Sequence, residues 1–429
     1  MDYTRPDDIN ETLSASLVKE KRGLSPWFIL ITILLLITLA LLYYYFLIYK
    51  KEIAIKIPIY KGGGLATSTA NINPKPVATS TASNSNSNTN STSTIVIPGI
   101  EKLFYTIWPD AITGYTFNKA GNIIFQDKDT GHIYEADAPD YKPYKIANTT
   151  INNLYLSFFA NDGKTIIFQT LNQNNNTLST YIADIANYNK LPSNLYNNAY
   201  LGDKVYDISI SPDKMSAIYV YDDNKKYNSN IYVLNIKTRE NKLLYSYPLA
   251  HVRVQYYGTD TVSVYQNTGE NIISQTYTLN TKKSSLTPIL KGEQLISNIS
   301  KDGYLYSNRD GLFLQNKKLT NKFSFYTTAN KCVWSHTGTY VLCGVNENYN
   351  SDSLDEYLDQ SKVYADNLYI HGIDYANERA IYDFISFNKT PVHIQNMSIS
   401  DDNEKLAIMD QEKGLYMLKI YSILSSETQ

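Results

Sequence analysis

From about residue 95 to the C-terminus, short apolar and aromatic runs alternate with clusters of Asn, Asp, Gly and Ser. Apolar runs bounded by turn-forming residues are typical of β-strands joined by tight turns. The runs do not alternate cleanly between apolar and polar positions, which predicts sheets that pack against neighbours on both faces. This part of the chain is therefore expected to be all-β.

The clearest unit is residues 205–236, which predict a strand, a Ser-Pro-Asp turn, a strand, a polar loop and a third strand. The first turn is found seven times, at 117–125, 159–168, 210–220, 256–265, 299–307, 334–344 and 399–409, and the other six are looser than the one at 210–220. The turn moves from Gly121 to Asn403 in six steps of about 47 residues, a spacing typical of propeller blades. We predict a seven-bladed β-propeller with four-stranded blades at residues 95–424. One β-sandwich or two is the alternative.

The predicted ends of the propeller suggest how the ring closes. Residues 102–107, KLFYTI, resemble the outer strand KLLYSY at 242–247, but no blade precedes them. The last blade ends after GLYMLKI at 414–420 and has no convincing outer strand of its own. We expect KLFYTI to complete the seventh blade, because this pairing removes two exposed sheet edges.

An uncharged apolar segment precedes the propeller at residues 27–48, from Trp27 to Ile48. A helix of this length spans about 33 Å, close to the ~30 Å hydrocarbon core of a bilayer. Trp27 at one end and Tyr43 and Tyr49 towards the other are typical interfacial aromatics. We predict a transmembrane α-helix at 26–49, preceded by a disordered cytoplasmic tail at 1–25.

Two alternatives for the apolar segment are a buried core helix and a cleaved signal peptide. The apolar run is longer than a usual signal-peptide core and continues into tyrosines without a small-residue cleavage site, which favours an uncleaved signal-anchor. Residues 50–94 are rich in Ser, Thr and Asn and predict a disordered linker. Lysines flank both ends of the helix, so they do not determine its orientation. The prediction that the propeller lies outside is based on the linker and on the cysteines.

The turn Ser211-Pro212-Asp213 before an apolar strand, and the later strand IYVLNI at 231–236, resemble TolB-like and WD-repeat-like β-propellers. The resemblance covers about residues 114–420, although Lys214 occupies the position where such turns carry Gly. It implies a bacterial-type, extracytoplasmic propeller used for binding or scaffolding. The layout as a whole also resembles membrane-anchored propeller proteins of small-genome bacteria.

Charge and motifs exclude several classes of function. The formal net charge is −2, so no basic field is available for nucleic acid. The sequence lacks G-x-S-x-G, H-E-x-x-H and P-loop motifs, and its five histidines show no ligand spacing. The segment at 127–131 predicts a β-turn better than a calcium loop. No metal, cofactor or catalytic residue is predicted, although carboxylates assembled from distant blades would escape this search.

The two cysteines, Cys332 and Cys343, flank a predicted hairpin in blade six. Antiparallel strands would place them opposite each other, which predicts a disulfide of modest stabilising effect. Two buried thiols in a reducing compartment are the alternative. A disulfide would favour an oxidising, extracytoplasmic location.

Blade six also contains an insertion, residues 346–366, between its predicted second and third strands. Its acidic middle could form a short helix, since Ser353 and Glu356 have capping-box spacing. Such loops gather on one face of a propeller, so the insertion is the candidate recognition element, with a solvated cap over the ring as the alternative. The predicted binding residues are Trp108, Tyr349, Asp355, Glu356 and Tyr357.

These observations give two main hypotheses. The first is a non-enzymatic, membrane-anchored module that binds a protein or peptide partner at the cell envelope. The second is a propeller hydrolase or lyase that acts on envelope glycans or peptides. A sensor that signals through the helix is a third, weaker hypothesis, because the N-terminal tail offers no signalling domain.

Overall fold

The computed structural model describes residues 103–173, 176–185, 193–223, 228–266, 272–316, 320–346, 365–373, 378–388, 391–410 and 413–420. Within these ranges, 28 strands form seven antiparallel sheets of four strands each. The prediction of a seven-bladed, four-stranded propeller is therefore confirmed.

The blades follow the chain in order. Blade one contains β2 (Ile112–Phe117), β3 (Ile123–Asp127), β4 (Ile133–Asp137) and β5 (Lys142–Ala147). Blade two contains β6 (Leu154–Ala160), β7 (Thr165–Asn172), β8 (Thr177–Ile185) and β9 (Leu195–Asp203). Blade three contains β10 (Val205–Ile210), β11 (Ser216–Asp223), β12 (Asn228–Asn235) and β13 (Asn241–Tyr247). Blades four and five contain β14 (Arg253–Gly258), β15 (Thr261–Tyr265), β16 (Ile273–Asn280) and β17 (Ser285–Glu293); and β18 (Ile296–Ser300), β19 (Gly303–Asn308), β20 (Gly311–Gln315) and β21 (Thr320–Lys322). Blade six contains β22 (Cys332–Trp334), β23 (Tyr340–Val345), β24 (Asn367–Gly372) and β25 (Glu378–Tyr382).

Blade seven is assembled from both ends of the described chain. It contains β26 (Ile394–Ile399), β27 (Lys405–Asp410), β28 (Leu415–Lys419) and, as its outer strand, β1 (Phe104–Trp108). The prediction that the KLFYTI segment completes the seventh blade is confirmed. The first strands of neighbouring blades contact one another around the ring, with a 3₁₀ turn at Ala329–Lys331 contributing between blades five and seven.

The recurring turn between first and second strands has a common hydrogen-bond scheme. In blade three, the Ser211 carbonyl accepts the Lys214 amide at 2.8 Å, and Ser211 Oγ accepts the Ser216 amide at 2.9 Å. Ser400 of blade seven repeats this scheme with the amides of Asn403 and Lys405. The fourth turn residue has positive φ in each case, 59° for both Lys214 and Asn403, which explains why this position tolerates Gly, Asn or an isolated Lys.

The hydrophobic core lies between blades rather than inside one layer. For example, Ile124 and Ile133 of blade one pack with Ile166 and Phe168 of blade two. Each sheet therefore buries apolar side chains on both faces, as the lack of strict alternation in the sequence predicts.

The cysteines of blade six form a disulfide. Cys332 in β22 is the register partner of Cys343 in β23, and their Cα atoms are 4.1 Å apart. Both residues are buried in the cluster that also contains Leu305 and Val341. The disulfide thus joins the first two strands of the blade from within the core.

The predicted tail, transmembrane helix and linker at residues 1–94 lie outside the described residues, as does most of the blade-six insertion, 347–364. In the described part of the chain, no helix is long and apolar enough to cross a membrane. Its one α-helix, α1 (Phe384–Asn388), lies in the connection between blades six and seven.

Candidate binding site at the channel mouth

The loops of the propeller fall on two faces. One face, here called the mouth face, carries the connections between blades and the loops between second and third strands. It includes the connections at 248–252, 323–331 and 383–393 and both ends of the blade-six insertion. The opposite face, here called the turn face, carries the turns between first and second strands. First strands therefore begin at the mouth face and line the central channel.

Four first strands are bulged at their mouth ends. The pairings of β2, β6, β10 and β26 with their second strands each skip the second residue of the first strand. The skipped residues are Thr113, Tyr155, Tyr206 and Gln395. Bulges are over-represented beside binding sites because they redirect a side chain out of the ladder, so the mouth end of the channel is the candidate location of a site.

A cavity of about 360 Å³ opens there between blades three, four and five. Its walls are formed by the first strands β10, β14 and β18, by the end of β15 and by the connection before β22. The lining residues are Asp207, Ile208, Ser209, Arg253, Val254, Gln255, Tyr265, Ile296 and Asn330.

An ion pair stands in the wall of this cavity. Arg253 Nη1 lies 3.2 Å from Asp207 Oδ1, and Asp207 Oδ2 accepts the Val254 amide at 2.7 Å. Burial raises the pKa of the Asp207 carboxyl, while the Arg253 guanidinium and the Val254 amide counteract that rise. Burial, together with the nearby Asp207 carboxylate, also raises the pKa of Tyr265, so its hydroxyl is protonated at neutral pH.

A chain of polar and aromatic groups continues from Arg253 along the rim. The Arg253 guanidinium lies over the Tyr206 ring, 4.7 Å from its centroid. The centroids of the Tyr206 and His251 rings are 4.9 Å apart. His251 Nδ1 is 2.7 Å from Asp222 Oδ2, and the buried Asp222 also accepts the Ser229 hydroxyl at 2.6 Å. This contact orients the imidazole and leaves its Nε2 on the exposed side, since 65% of the side chain is accessible.

The base of the blade-six insertion is attached to the same wall. Asn346 Nδ2 donates to the Ala365 carbonyl, which brings the two ends of the insertion together. Asp366 accepts two bonds from Lys331 Nζ, at 2.8 and 2.7 Å, and one from the Ile394 amide. Lys331 directly follows Asn330, which lines the cavity. The described base of the insertion, at Asp366, is therefore bonded to the residue next to the cavity lining.

The structure separates Trp108 from this cavity. Trp108 ends the outer strand β1, and its ring packs against Tyr134 and Phe125, at centroid distances of 4.6 and 5.4 Å. Its Nε1 donates to Asp127 Oδ1 at 3.3 Å, so the side chain supports the contact between blades seven and one. A binding role for Trp108 stays a prediction. The other predicted binding residues, Tyr349, Asp355, Glu356 and Tyr357, lie outside the described residues.

Sequence reasoning missed the residues that line the cavity, but a signal was present. Arg253 and Gln255 alternate with buried valines in HVRVQYY, and Asp207 interrupts the apolar strand VYDISI. Each first strand begins at the mouth of the channel, so polar residues at the start of a first strand indicate the channel mouth. Reading this signal requires knowing which strand of each repeat is innermost.

Metal binding finds no support among the described residues, where no group of three or more His, Cys, Asp and Glu side chains is placed to hold an ion. The Asp127 carboxylate, which begins the segment with a faint calcium-loop pattern, instead accepts the Thr130 amide at 3.0 Å and the Thr130 hydroxyl. That segment is a side-chain-capped β-turn.

Comparison with known proteins gives similarity in structure but not in sequence: no protein-family model and no curated protein matches the chain. The β-propeller domain of the Trilobed protease from Pyrococcus furiosus is similar with a TM-score of 0.50 and 10% identity, over 73% of this chain and 94% of that one. An oligogalacturonate lyase in complex with manganese gives 0.46 and 11%, over 74% and 92%. TolB from Acinetobacter baumannii gives 0.36 and 12%, over 72% and 63%. At 10% identity, the similarity to the Trilobed protease domain supports the propeller fold alone.

Proposed function

We propose that this chain is a membrane-anchored binding module whose propeller lies outside the cytoplasm and receives a cell-envelope protein or peptide partner on its mouth face. The observation that carries the proposal is the polar cavity with the Arg253–Asp207 pair at the channel mouth. A concave site with a few convergent polar groups is the usual form of a binding site.

The surface around the cavity supports binding of a large partner. Apolar side chains that are about half exposed or more stand on the loops and strand ends of the mouth face: Leu249, Ile272, Ile273, Ile385 and Phe387. On the turn face Met215 is 41% exposed, and Tyr196 and Leu243, near the turn-face ends of the outer strands β9 and β13, are 46% and 50% exposed. Apolar groups around a polar centre are typical of protein interaction surfaces.

The entry point of the chain also supports presentation of this face. β1 begins with Phe104 at the turn-face end of blade seven and runs towards the mouth face, where β2 begins. The described chain therefore enters the propeller on the side opposite the cavity. The apolar segment 27–48 and the disulfide favour a tethered domain outside the cytoplasm.

Photo-crosslinking in intact cells tests the proposal. A photoreactive amino acid replaces Phe387 or Ile273 on the mouth face, and Met215 on the turn face provides the matched control. We expect the same cross-linked envelope protein from both mouth-face positions and none from position 215. Equal products from all three positions, or none from the mouth face, would contradict the proposal.

Location is tested separately by adding protease to intact cells. We expect degradation of the propeller with retention of the N-terminal segment in the membrane. Protection of the propeller under conditions that digest a known surface protein would exclude an outside location.

A hydrolase or lyase that acts on envelope glycans or peptides is the second candidate, and one observation favours it. His251 is held through Nδ1 by the buried Asp222, with Nε2 exposed, two residues before the cavity-lining Arg253. An imidazole oriented by a carboxylate is a suitable general base. The purified full-length chain would then cleave envelope glycans or peptides, and His251→Gln would abolish turnover while His336→Gln on the turn face would not.

A further inference from the structure

We propose that the cavity at the channel mouth binds an uncharged saccharide unit carried by the envelope partner; this inference rests on the proposed function. Three features of the described residues support it: the charge balance of the lining, the state of the neighbouring strand edge and the arrangement of side-chain hydrogen-bonding groups.

The cavity contains charges of both signs at one place. Arg253 and Asp207 are the charged residues among those that line it, and their side chains pair with each other at 3.2 Å. An anionic ligand that approached Arg253 would meet the Asp207 carboxylate, and a cationic ligand that approached Asp207 would meet the guanidinium. The remaining polar lining, Ser209, Gln255, Tyr265 and Asn330, is uncharged. The site therefore favours a neutral ligand.

The strand edge in the cavity wall does not favour an extended peptide. Peptides that bind by strand addition use the backbone N–H and C=O groups of an open edge. On β14 the amides of Val254 and Tyr256 already donate to Asp207 Oδ2 at 2.7 Å and to Ser209 Oγ at 2.9 Å. Side chains of blade three thus accept hydrogen bonds from two successive backbone donors of this edge. Recognition of a ligand therefore depends on the side chains that line the cavity.

Those side chains suit adjacent hydroxyl groups. Arg253 presents a planar fork of donors, of which Nη1 is paired with Asp207. Gln255 and Asn330 each carry a side-chain amide with donor and acceptor groups; Gln255 Nε2 donates to Asn298 Oδ1 at 3.3 Å, so Gln255 offers a ligand its second N–H and its Oε1. Neighbouring hydroxyls of a sugar ring act as donor and acceptor at once, so they match such groups in pairs.

The test measures binding of three matched oligosaccharides to the purified full-length chain by isothermal titration calorimetry. The probes are an N-acetylglucosamine tetramer, which is neutral, its deacetylated cationic counterpart, and an anionic uronic acid tetramer. We expect the neutral tetramer to bind at least about tenfold more tightly than either charged one. Preference for a charged tetramer, or no binding of the neutral one at millimolar concentration, would overturn the proposal.

Variants locate the site. Gln255→Leu and Asn330→Leu should each weaken binding of the neutral tetramer by about tenfold, because each removes a polar amide from the lining. Met215→Ala on the turn face is the control and should leave affinity unchanged. Thermal melting of each variant checks that the propeller is intact. Unchanged affinity in both lining variants would place the sugar elsewhere and overturn the assignment.

The outcome is separable from that of the proposed function. If cross-links from Phe387 and Ile273 to an envelope protein persist while the neutral tetramer fails to bind, the binding module stands and the ligand class is wrong. If neither is observed, both proposals fail.

Discussion

Phe104, in the first described strand, lies directly opposite Leu418, in the last. This pairing makes β1 the outer strand of blade seven and joins residues more than 300 positions apart in the sequence. The buried side chains of β1 pack in the cluster between blades seven and one, together with Phe117 and Phe125. Ring closure therefore depends on a short strand, β1, that pairs with β28 from the other end of the described chain rather than with a strand close to it in sequence.

Ile107→Ala should weaken this closure. Ile107 is 3% exposed and belongs to the cluster between blades seven and one. Truncation of a buried isoleucine leaves a cavity and costs about 2–5 kcal/mol of unfolding free energy. Urea denaturation measures the loss. Thr106→Ala, one residue earlier and exposed, is the matched control and should change stability by less than about 0.5 kcal/mol. Equal effects would show that β1 does not close the ring in solution.

The sequence predicts the buried strands of this fold better than the partly solvated outer strands. Five of the second strands, β3, β7, β11, β23 and β27, contain four or more consecutive buried residues, so the repeat is visible in segments such as 216–220. Outer strands are partly solvated and carry polar residues, which hid β9, with the sequence LYNNAYLGD, and β21, with three polar residues. KLFYTI was found because it resembles KLLYSY, an outer strand with an unusually apolar sequence.

The candidate site was harder to predict than the fold. Asp207 and Arg253 are 46 positions apart, and neither belongs to a motif. They meet because the first strands of blades three and four lie side by side around the channel, a relationship that depends on ring geometry rather than on local sequence. The predicted recognition element, the blade-six insertion, stays a prediction; its described base at Asp366 is bonded to Lys331, which follows the cavity-lining Asn330.

Replacement of both cysteines should destabilise the propeller modestly. The disulfide joins Cys332 and Cys343, which are separated by 11 positions. Closure of so short a loop contributes about 2–3 kcal/mol in the chain-entropy description. Cys332→Ala with Cys343→Ala should lower the unfolding free energy by that amount, and reductant should have the same effect on the wild type and none on the variant.

The same cysteines report the compartment. Intact cells are lysed in excess alkylating reagent, and the modified peptides are identified by mass spectrometry. In an oxidising location, both cysteines should be alkylated only after reduction. Complete alkylation without reduction would place the propeller in a reducing compartment and would contradict the proposed outside location.

Lys331→Met should be strongly destabilising. Lys331 and Asp366 form a buried pair, with side-chain exposures of 7% and 1%. Removal of one partner leaves a buried carboxylate without its counter-charge, at a cost of about 3–5 kcal/mol. Lys282→Met breaks the exposed pair with Asp260, whose charged atoms are 2.6 Å apart, and should cost less than about 1 kcal/mol. Urea denaturation of both variants compares the two costs, and similar values would contradict the burial of the Lys331 pair.

His371 should make the propeller sensitive to mild acid. Its side chain is 1% exposed, packs 4.1 Å from the Phe323 ring and lies 3.2 Å from Glu378 Oε1. Burial lowers the pKa of His371 from its ordinary value of 6.5, although the Glu378 carboxylate opposes this. The unfolded chain therefore binds a proton near pH 6.5 while the folded chain remains neutral.

Stability that comes from this difference is fully present above pH 6.5 and is lost as the pH falls from 6.5 towards the lowered pKa of the folded state. His371→Leu should remove this part of the pH dependence and leave stability at pH 8 within about 1.5 kcal/mol of the wild type. Melting temperatures recorded from pH 8 to pH 5 measure the slope. If wild type and variant lose stability in parallel over this range, another group is responsible for the acid sensitivity.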